Sequence, residues 1–185
     1  SANPQDGGVV EAVRLMSRAM QSLGHTTEIA TADAPDAPWL KDFGFDVHAL
    51  GPGTRPYQYS RKLGPWLKAN TPRFDAVIAN GVWNYTSIAV ARNTARTTPY
   101  FIFTHGMLDP WFKQAFPVKH LAKQLYWLAA EGRALARARA VLFTAEDEQI
   151  RSRNVFWGYG FNEALVQLGI APPPPEVDGN QAAAF

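Results

Sequence analysis

No cysteine occurs among the 185 residues of the sequence. This absence excludes a disulfide framework, a thiolate metal site and a cysteine nucleophile, and it fits a reducing cytoplasm. The sequence also lacks an apolar run of the about 20 residues that a bilayer span requires, and it shows no charged-then-apolar signal pattern. We therefore expect a cytoplasmic protein whose only membrane contact is peripheral, at the inner face.

An excess of charge of one sign is also missing. Eighteen Lys and Arg residues nearly balance 16 Asp and Glu residues, which leaves a net charge of +2. Because a nucleic-acid-binding protein shows a clustered basic footprint, we expect no nucleic acid among the partners. The composition, 46% hydrophobic and 18% charged, is that of a folded domain with a real core. We assign residues 1–170 to this domain and the Pro-rich residues 171–185 to an interdomain linker.

Two hydrophobic patterns alternate along the chain. Apolar residues recur at helical spacing from Val9 to Leu23, and Gly24 follows as a natural helix stop. Short strands are expected in "HTTEIATA" and "DVHAL", and unbroken apolar runs typical of fully buried strands lie in "FDAVIANG", "PYFIFT" and "AVLF". Helices are expected between these strands, over about residues 60–69 and 85–96.

The longest predicted helix covers about residues 118–138. Its apolar stripe contains Leu121, Leu125, Leu128 and Leu135. After the "AVLF" strand, Thr144 precedes a run of acidic residues, which predicts that its hydroxyl caps a further helix.

Strands that alternate with helices imply parallel pairing and right-handed crossovers. We therefore predict an α/β fold, a Rossmann-like parallel sheet with helices on both faces. The chain opens on "SANPQDGGVV", a loop that leads into a helix, and such a loop normally follows a strand at the centre of the sheet. We expect this first strand to be missing from the sheet. Unpaired strand edges invite association, so self-association of the fragment is also expected.

Polar residues follow the predicted "PYFIFT" strand at the point where it ends. In an open parallel sheet, ligands bind in the crevice outside the carboxyl ends of the strands. His105, Gly106 and Asp109 are therefore candidate site residues, and Asn80 at the end of the neighbouring strand should open into the same crevice. The alternatives are that His105 is a satisfied polar residue, that Asp109 caps its own backbone and that Asn80 belongs to an ordinary Asn-Gly turn.

A second group of candidates lies at the amino-terminal helix and among the tryptophans. Gly7 and Gly8 precede a helix, where backbone N–H groups and the helix dipole favour a phosphate, although two glycines also make a plain turn. Trp83 and Trp111 could stack on a sugar ring or fill the core, and we expect the core for one of them.

Basic residues interleave with aromatic residues after the predicted strand at 99–104. Lys113, Lys119 and Lys123 lie close in sequence to Trp111 and Phe116. Such a cluster is suited to anionic lipid head groups or a pyrophosphate, whereas a solvated surface is the simpler interpretation.

Several of these segments together resemble a known family. They are "PQDGGV" before the first helix, "LGHTTEIAT" after it, "NGVW", "THGMLDPW", the long helix with "LYW" and "EGRALARARAV", and "FTAEDE". In this combination, which covers roughly residues 3–171, the chain resembles the amino-terminal, acceptor-side domain of family 4 glycosyltransferases with the GT-B fold. The segment "THGMLDPW" is its most specific element.

The resemblance implies two Rossmann-like domains that face each other across a cleft, of which this chain is one. The resemblance also implies that the carboxyl-terminal domain, which binds the nucleotide sugar, is absent from this chain. The family's di-glycine loop lies against the donor phosphates, which corresponds to Gly7 and Gly8, and its histidine after a central strand contacts the transferred sugar, which corresponds to His105. Asn80 stands where many relatives carry a histidine.

The function that this resemblance implies is retaining transfer of a sugar from a nucleotide-sugar donor to a saccharide or lipid-linked acceptor, as in polysaccharide biosynthesis. No metal and no cofactor are expected, and His105 is the candidate catalytic residue. An α/β hydrolase is disfavoured because the G-x-S-x-G nucleophile motif is absent from the sequence. A non-catalytic module that binds a sugar or lipid carrier remains the alternative.

Overall fold

The computed structural model describes residues 1–41 and 43–167, except for the side chain of Phe112. The predicted linker at 171–185 lies outside these residues. The strands are β1 (Glu28–Thr31), β2 (Asp46–Ala49), β3 (Val77–Asn80), β4 (Tyr100–Phe103), β5 (Ala140–Phe143) and β6 (Glu163–Leu165). The helices are α1 (Gly8–Ser22), α2 (Leu63–Asn70), α3 (Tyr85–Asn93), α4 (Trp111–Ala115), α5 (Pro117–Tyr126), α6 (Gly132–Arg137) and α7 (Glu146–Ser152).

The strands form two parallel sheets. One contains β1 and β2, with Glu28 opposite Asp46, and the other contains four strands in the order β3-β4-β5-β6. Helices alternate with the strands along the chain. The predicted α/β class with parallel pairing and interleaved helices is therefore confirmed.

A cavity of about 380 Å³ separates the two sheets, and we call it the intersheet cavity. Residues of β1 line one side, residues of β3 line the other, and helices α1, α2 and α3 contribute further walls. Within the described part of the chain, β1 pairs only with β2 and β3 pairs only with β4. One edge of β1 and one edge of β3 therefore have no partner strand among the described residues.

Two hydrophobic clusters correspond to the two sheets. The larger one centres on β4 and β5, where Ile102, Phe103, Val141 and Phe143 have no exposed area. The smaller one, of Ala2, Val10 and Phe43, lies by β1 and β2. The central strands are thus the most deeply buried, as their unbroken apolar sequences predict.

Helix α1 ends as its sequence predicts. Gly24 adopts a φ of 85°, its N–H donates to the carbonyl of Gln21, and the N–H of His25 donates to the carbonyl of Met20. This is the Schellman arrangement, which uses a glycine in the left-handed conformation to end a helix. In α2, Gly64 and Pro65 lie in the first turn, where the missing N–H of proline breaks no helical hydrogen bond.

The long helix departs from its prediction in the middle and on one face. A π-helical turn, Trp127–Glu131, joins α5 to α6. Leu121 and Leu125 are 63% and 64% exposed, so the predicted apolar stripe is buried only in its later part, where Leu135 has no exposed area. The buried side of α5 instead carries Gln124, whose amide donates to the carbonyl of Trp157. Along the described chain, no helix is both long and apolar enough to cross a membrane.

Helix α7 follows β5 as predicted, but its predicted cap is wrong. The helix begins at Glu146 with Ala145 as the N-cap residue, and the hydroxyl of Thr144 donates to the carboxylate of Glu148 instead of accepting from the helix backbone. Strand β6 and helix α4 were not predicted, because segments of three and five residues carry too little periodicity to be recognised.

Candidate active site

The carboxyl ends of β3 and β4 bring two of the predicted residues together. Asn80 ends β3 opposite Phe103, the last residue of β4, and His105 follows two positions later. The His105 imidazole Nε2 lies 3.0 Å from Asn80 Oδ1, at hydrogen-bond distance. The sequence therefore placed both residues correctly at one edge of the sheet.

The backbone at His105 turns sharply. His105 has a φ of 49° and Gly106 a φ of 76°, which are left-handed values that a non-glycine residue seldom adopts. The imidazole stacks on the Phe103 ring at 4.6 Å between centroids. Burial lowers the pKa of His105, although the Glu148 charge acts in the opposite direction, so the ring is neutral near pH 7. With Asn80 Oδ1 as the acceptor, Nε2 carries the proton and Nδ1 is the acceptor nitrogen.

Glu148 organises this turn, a role that sequence patterns did not reveal. One carboxylate oxygen accepts from the Thr104 hydroxyl at 2.6 Å and from the Gly106 N–H at 2.7 Å. The other accepts from the Thr144 N–H at 2.8 Å and the Thr144 hydroxyl at 2.7 Å. Burial acts to raise the pKa of Glu148, but these hydrogen bonds hold it below its usual value. Glu148 is thus an ionised anchor that joins the loops after β4 and β5.

Trp83 links the loop after β3 to the loop after β4. Its indole N–H donates to the carbonyl of Met107 at 2.9 Å, and its backbone has a φ of 69°. The ring packs against Phe156 and Trp127, with centroids 4.9 and 6.2 Å away. Trp83 is therefore the tryptophan that belongs to the core, as expected for one of the two.

A second carboxyl group, that of Glu131, contacts the backbone of Trp83. Glu131 ends the π-helical turn, has no exposed area, and accepts from the Trp83 backbone N–H at 3.4 Å. Burial raises the pKa of Glu131 to about 7. The sequence did not identify this residue, because nothing local distinguishes a buried glutamate from a surface one on a helix.

Asp109 and Trp111 lie farther along the same loop. Asp109 Oδ1 accepts from the Trp111 N–H at 2.7 Å, which is the capping geometry considered as the alternative for this aspartate. Asp109 also pairs with the Arg151 guanidinium at 3.2 Å. The Trp111 side chain is 55% exposed and meets Phe116 edge-on, so it presents a ring to the surface. A binding role for either residue stays a prediction.

The di-glycine loop forms the amino terminus of α1. Both Gly7 and Gly8 are exposed, and a side-chain carbon added to either would meet nothing within 4 Å. Gly7 has a φ of 89° and a ψ of −156°, a region essentially reserved for glycine. The intersheet cavity extends from Val9, next to this loop, to Asn80. The first turn of α1, which follows the loop, and the carboxyl end of β3 therefore border the same space, whereas Gly7 and Gly8 do not line it.

The three predicted lysines differ in their surroundings. Lys113 and Lys119 are exposed, and the Lys119 ammonium lies 4.8 Å from the centroid of the Phe116 ring. The Lys123 ammonium lies 4.5 Å from the Trp83 ring, and burial lowers its pKa. Lys123 is therefore directed inward, unlike the other two.

Metal ligands do not cluster in residues 1–41 and 43–167, where no group of three His, Asp or Glu side chains could hold an ion. The polar groups of the site are the His105 imidazole, the Asn80 amide and the backbone N–H groups at the start of α1. The Asn80 amide NH2 and the backbone N–H groups are hydrogen-bond donors, and the His105 Nδ1 is an acceptor. His105 and Asn80 lie at the carboxyl ends of parallel strands, which is where a Rossmann-like domain binds its ligands.

Comparison with known families agrees with this class. The model of the "Glycosyl transferase 4-like domain" family matches residues 7–159, and the chain belongs to this family. It is the amino-terminal half of a GT-B glycosyltransferase of family 4, as its motifs had indicated. Neither the curated proteins nor the solved structures include a match to the chain.

Proposed function

We propose that the chain is the acceptor-side half of a retaining, metal-independent glycosyltransferase. The parent enzyme transfers a sugar from a nucleotide-sugar donor to a saccharide or lipid-linked acceptor, and the site residues are His105, Asn80 and the Gly7-Gly8 loop. The observation that carries this proposal is the pair of His105 and Asn80, held 3.0 Å apart at the strand ends of a glycosyl transferase 4-like domain.

The chemistry demands stabilisation of charge at two places. A nucleotide diphosphate departs with negative charge, while positive charge develops on the transferred sugar. The first N–H groups of α1 lack partners within the helix and point toward an approaching phosphate. His105 is neutral near pH 7, so its Nδ1 can accept from a sugar hydroxyl without adding a repulsive positive charge.

Exchange of Gly7 for alanine in the two-domain enzyme tests the phosphate contact. Because an added Cβ fills the approach path of the donor and strains the backbone, Gly7→Ala should raise the KM for the nucleotide sugar. Gly24→Ala is the matched control, because Gly24 also has a positive φ and open space around it and lies at the opposite end of α1. An equal KM for both variants would contradict the proposed contact between the Gly7-Gly8 loop and the donor phosphates.

The alternative function, a non-catalytic module that binds a sugar or lipid carrier, makes a different prediction for the same enzyme. It requires binding of the carrier without turnover of any nucleotide sugar. Sugar transfer by the two-domain enzyme would exclude this alternative, whereas carrier binding without transfer would replace our proposal.

A surface on α4 and α5 favours a peripheral membrane contact in addition. Five large apolar side chains between 43% and 81% exposed lie on these two helices and at the residue that joins them, and we call them the α4–α5 face: Trp111, Phe116, Val118, Leu121 and Leu125. Exposed Lys113 and Lys119 lie on the same helices. Apolar and aromatic side chains beside lysines are the features by which a helix lies in an anionic lipid interface. We propose that this face holds the enzyme at the cytoplasmic side of a membrane, where a lipid-linked acceptor resides.

Sedimentation with vesicles tests this contact. Vesicles of phosphatidylcholine with phosphatidylglycerol should bind the chain. The double variant Val118→Ser, Leu121→Ser should have an affinity for these vesicles that is lower by about tenfold or more, because two apolar anchors are removed. Leu23→Ser is the matched control, since Leu23 is 73% exposed on a different helix end. Equal binding by both variants, or binding that is insensitive to the anionic lipid, would contradict the proposal.

A further inference from the structure

The carboxyl group of Glu131 is buried with few hydrogen-bond partners. Glu131 ends the π-helical turn and has no exposed area. Its Oε2 accepts from the Trp83 N–H at 3.4 Å, while its Oε1 accepts no hydrogen bond from any residue that the structure describes. A buried carboxyl group that is only partly hydrogen-bonded lowers stability, so packing alone does not account for it. A π-helical turn is also a feature that is frequent at functional sites.

Trp83 joins the two loops of the candidate site. Its indole N–H donates to the carbonyl of Met107 at 2.9 Å, and the N–H of the preceding Val82 lies 3.4 Å from the Met107 sulfur. Trp83 follows Asn80 by three positions, and Met107 follows His105 by two. The contacts of Trp83 with Met107 therefore determine how the loop after β3 lies against the loop after β4.

The backbone at Trp83 has a conformation that needs support from its surroundings. Its φ of 69° lies in the left-handed region, which a residue other than glycine keeps only where its neighbours enforce it. The Glu131 carboxyl group accepts from this backbone N–H. The next residue, Asn84, caps α3 by accepting from the Thr86 N–H at 2.9 Å. The carboxyl group thus lies beside the amino terminus of α3, where the helix dipole favours negative charge.

We propose that Glu131 is a positioning residue for the candidate site, which holds the loop after β3 against the loop after β4 through Trp83 and thereby fixes Asn80 relative to His105. The consequence for sugar transfer rests on the proposed function, whereas the link between the two loops does not. Hydrogen bonds to a charged acceptor are about twice as strong as those between neutral groups. Ionisation of Glu131 should therefore tighten its contact with Trp83.

The surroundings of Glu131 set the pH range of this ionisation. Burial raises the pKa of Glu131 to about 7, although the nearby hydroxyls of Ser87 and Tyr126 favour the charged form. The Tyr126 hydroxyl lies 2.5 Å from the Tyr57 hydroxyl. Burial and this hydrogen bond raise the pKa of Tyr126 above its usual range, so Tyr126 stays neutral while Glu131 titrates.

Two further titratable groups lie near Trp83. The Lys123 ammonium is 4.5 Å from the centroid of its ring. His120 stacks on Phe156 at 4.7 Å between centroids, and Phe156 packs against Trp83 at 4.9 Å. Burial and nearby lysines lower the pKa of His120 below its ordinary value of 6.5. A variant of His120 is therefore needed as a control in any titration that follows Trp83.

A pH titration of the chain by heteronuclear NMR tests the link between the loops. The backbone and indole N–H signals of Trp83 and the amide signal of Met107 should move together in one transition near the pKa of about 7. Glu131→Gln should abolish this transition, because glutamine does not titrate, whereas His120→Gln should retain it. A transition that persists in Glu131→Gln, or a wild type without one, would overturn the proposal.

Turnover by the two-domain enzyme tests the consequence for the site. At about pH 8, Glu131→Gln should lower kcat by about tenfold, although it removes a destabilising buried charge. At about pH 6 the wild type is protonated at Glu131 and resembles the glutamine variant, so the two kcat values should agree within about twofold.

Glu163→Gln is the matched control, because it removes a carboxylate of β6 that pairs with Arg153. This variant should lose stability but keep its kcat. A purely structural Glu131 predicts that kcat follows stability in both variants, and this outcome would refute the positioning role. Absence of any sugar transfer by the wild-type enzyme would instead refute the proposed function, and the NMR titration would still decide whether Glu131 links the loops.

Discussion

The Glu148 carboxylate accepts a hydrogen bond from the Gly106 backbone N–H at 2.7 Å, across 42 positions of sequence. This contact fixes the residue that follows His105. Since the same carboxylate also accepts from Thr104 and Thr144, Glu148 holds the His105 turn against the start of α7. The position of the candidate catalytic imidazole therefore depends on a helix that begins about 40 residues later.

Glu148→Gln should destabilise the chain by about 1–3 kcal/mol. The variant replaces one carboxylate oxygen by an NH2 group, which cannot accept hydrogen bonds from the donors that surround Glu148. Urea unfolding at neutral pH measures the change. Asp147→Asn is the control, because the Asp147 side chain is 78% exposed on the same helix and should change stability little. Equal stability of the two variants would contradict the anchoring role.

The pH dependence of this effect has a defined sign. The folded-state pKa of Glu148 lies below its ordinary value of 4.5, so its contribution to stability is present above pH 4.5 and is lost as the pH falls through the folded-state pKa. The difference in stability between the wild type and Glu148→Gln should therefore shrink in acid. A difference that grows in acid would contradict the ionised state assigned to Glu148.

The sequence predicted the central strands well because strands buried on both faces have unbroken apolar sequences. Such a run can be recognised without any knowledge of tertiary contacts. It also placed His105 and Asn80 at one edge, since parallel strands end together. Glu148 could not be identified in this way, because its hydrogen-bond partners are set by the packing of three loops. Helical spacing likewise predicted the apolar stripe that contains Leu121 and Leu125, but spacing cannot show whether another element covers the stripe. In the described part of the chain both leucines are exposed.

Glu131→Gln should stabilise the chain at alkaline pH but not in mild acid. The folded-state pKa of about 7 exceeds the ordinary value of 4.5, so the wild type loses stability as the pH rises from 4.5 to about 7, while the unfolded chain alone releases the proton. A glutamine does not titrate. The gain of the variant over the wild type should grow by on the order of 3 kcal/mol between about pH 5 and about pH 8.

Thermal or urea unfolding across this pH range measures the gain. Glu163→Gln is the control, because the hydrogen bond from Arg153 lowers the pKa of Glu163 below its ordinary value of 4.5. This variant should therefore lose stability by an amount that does not change between about pH 5 and about pH 8. A stability difference for Glu131→Gln that is independent of pH would show that Glu131 titrates normally.

The isolated chain should not transfer sugar at a measurable rate. It is the amino-terminal half of a GT-B enzyme, and much of the rate of a two-substrate reaction comes from holding both substrates in one cleft. An assay with radiolabelled nucleotide sugars and a panel of saccharide and lipid-linked acceptors measures this, with the two-domain enzyme as the positive control. Turnover by the isolated chain with any of these donors would refute the prediction.

His105→Ala should lower the kcat of the two-domain enzyme by about 10² or more while leaving the fold intact, in line with the loss of one preorganised polar group at the transferred sugar. A purely structural histidine predicts the reverse, since loss of the stacking on Phe103 and of the Asn80 contact would lower the melting temperature and spare the turnover of the folded enzyme. Both quantities are measured on the same purified variant. His25→Ala is the control, because His25 is exposed in the loop after α1. Unchanged kcat with reduced stability would assign His105 to the scaffold.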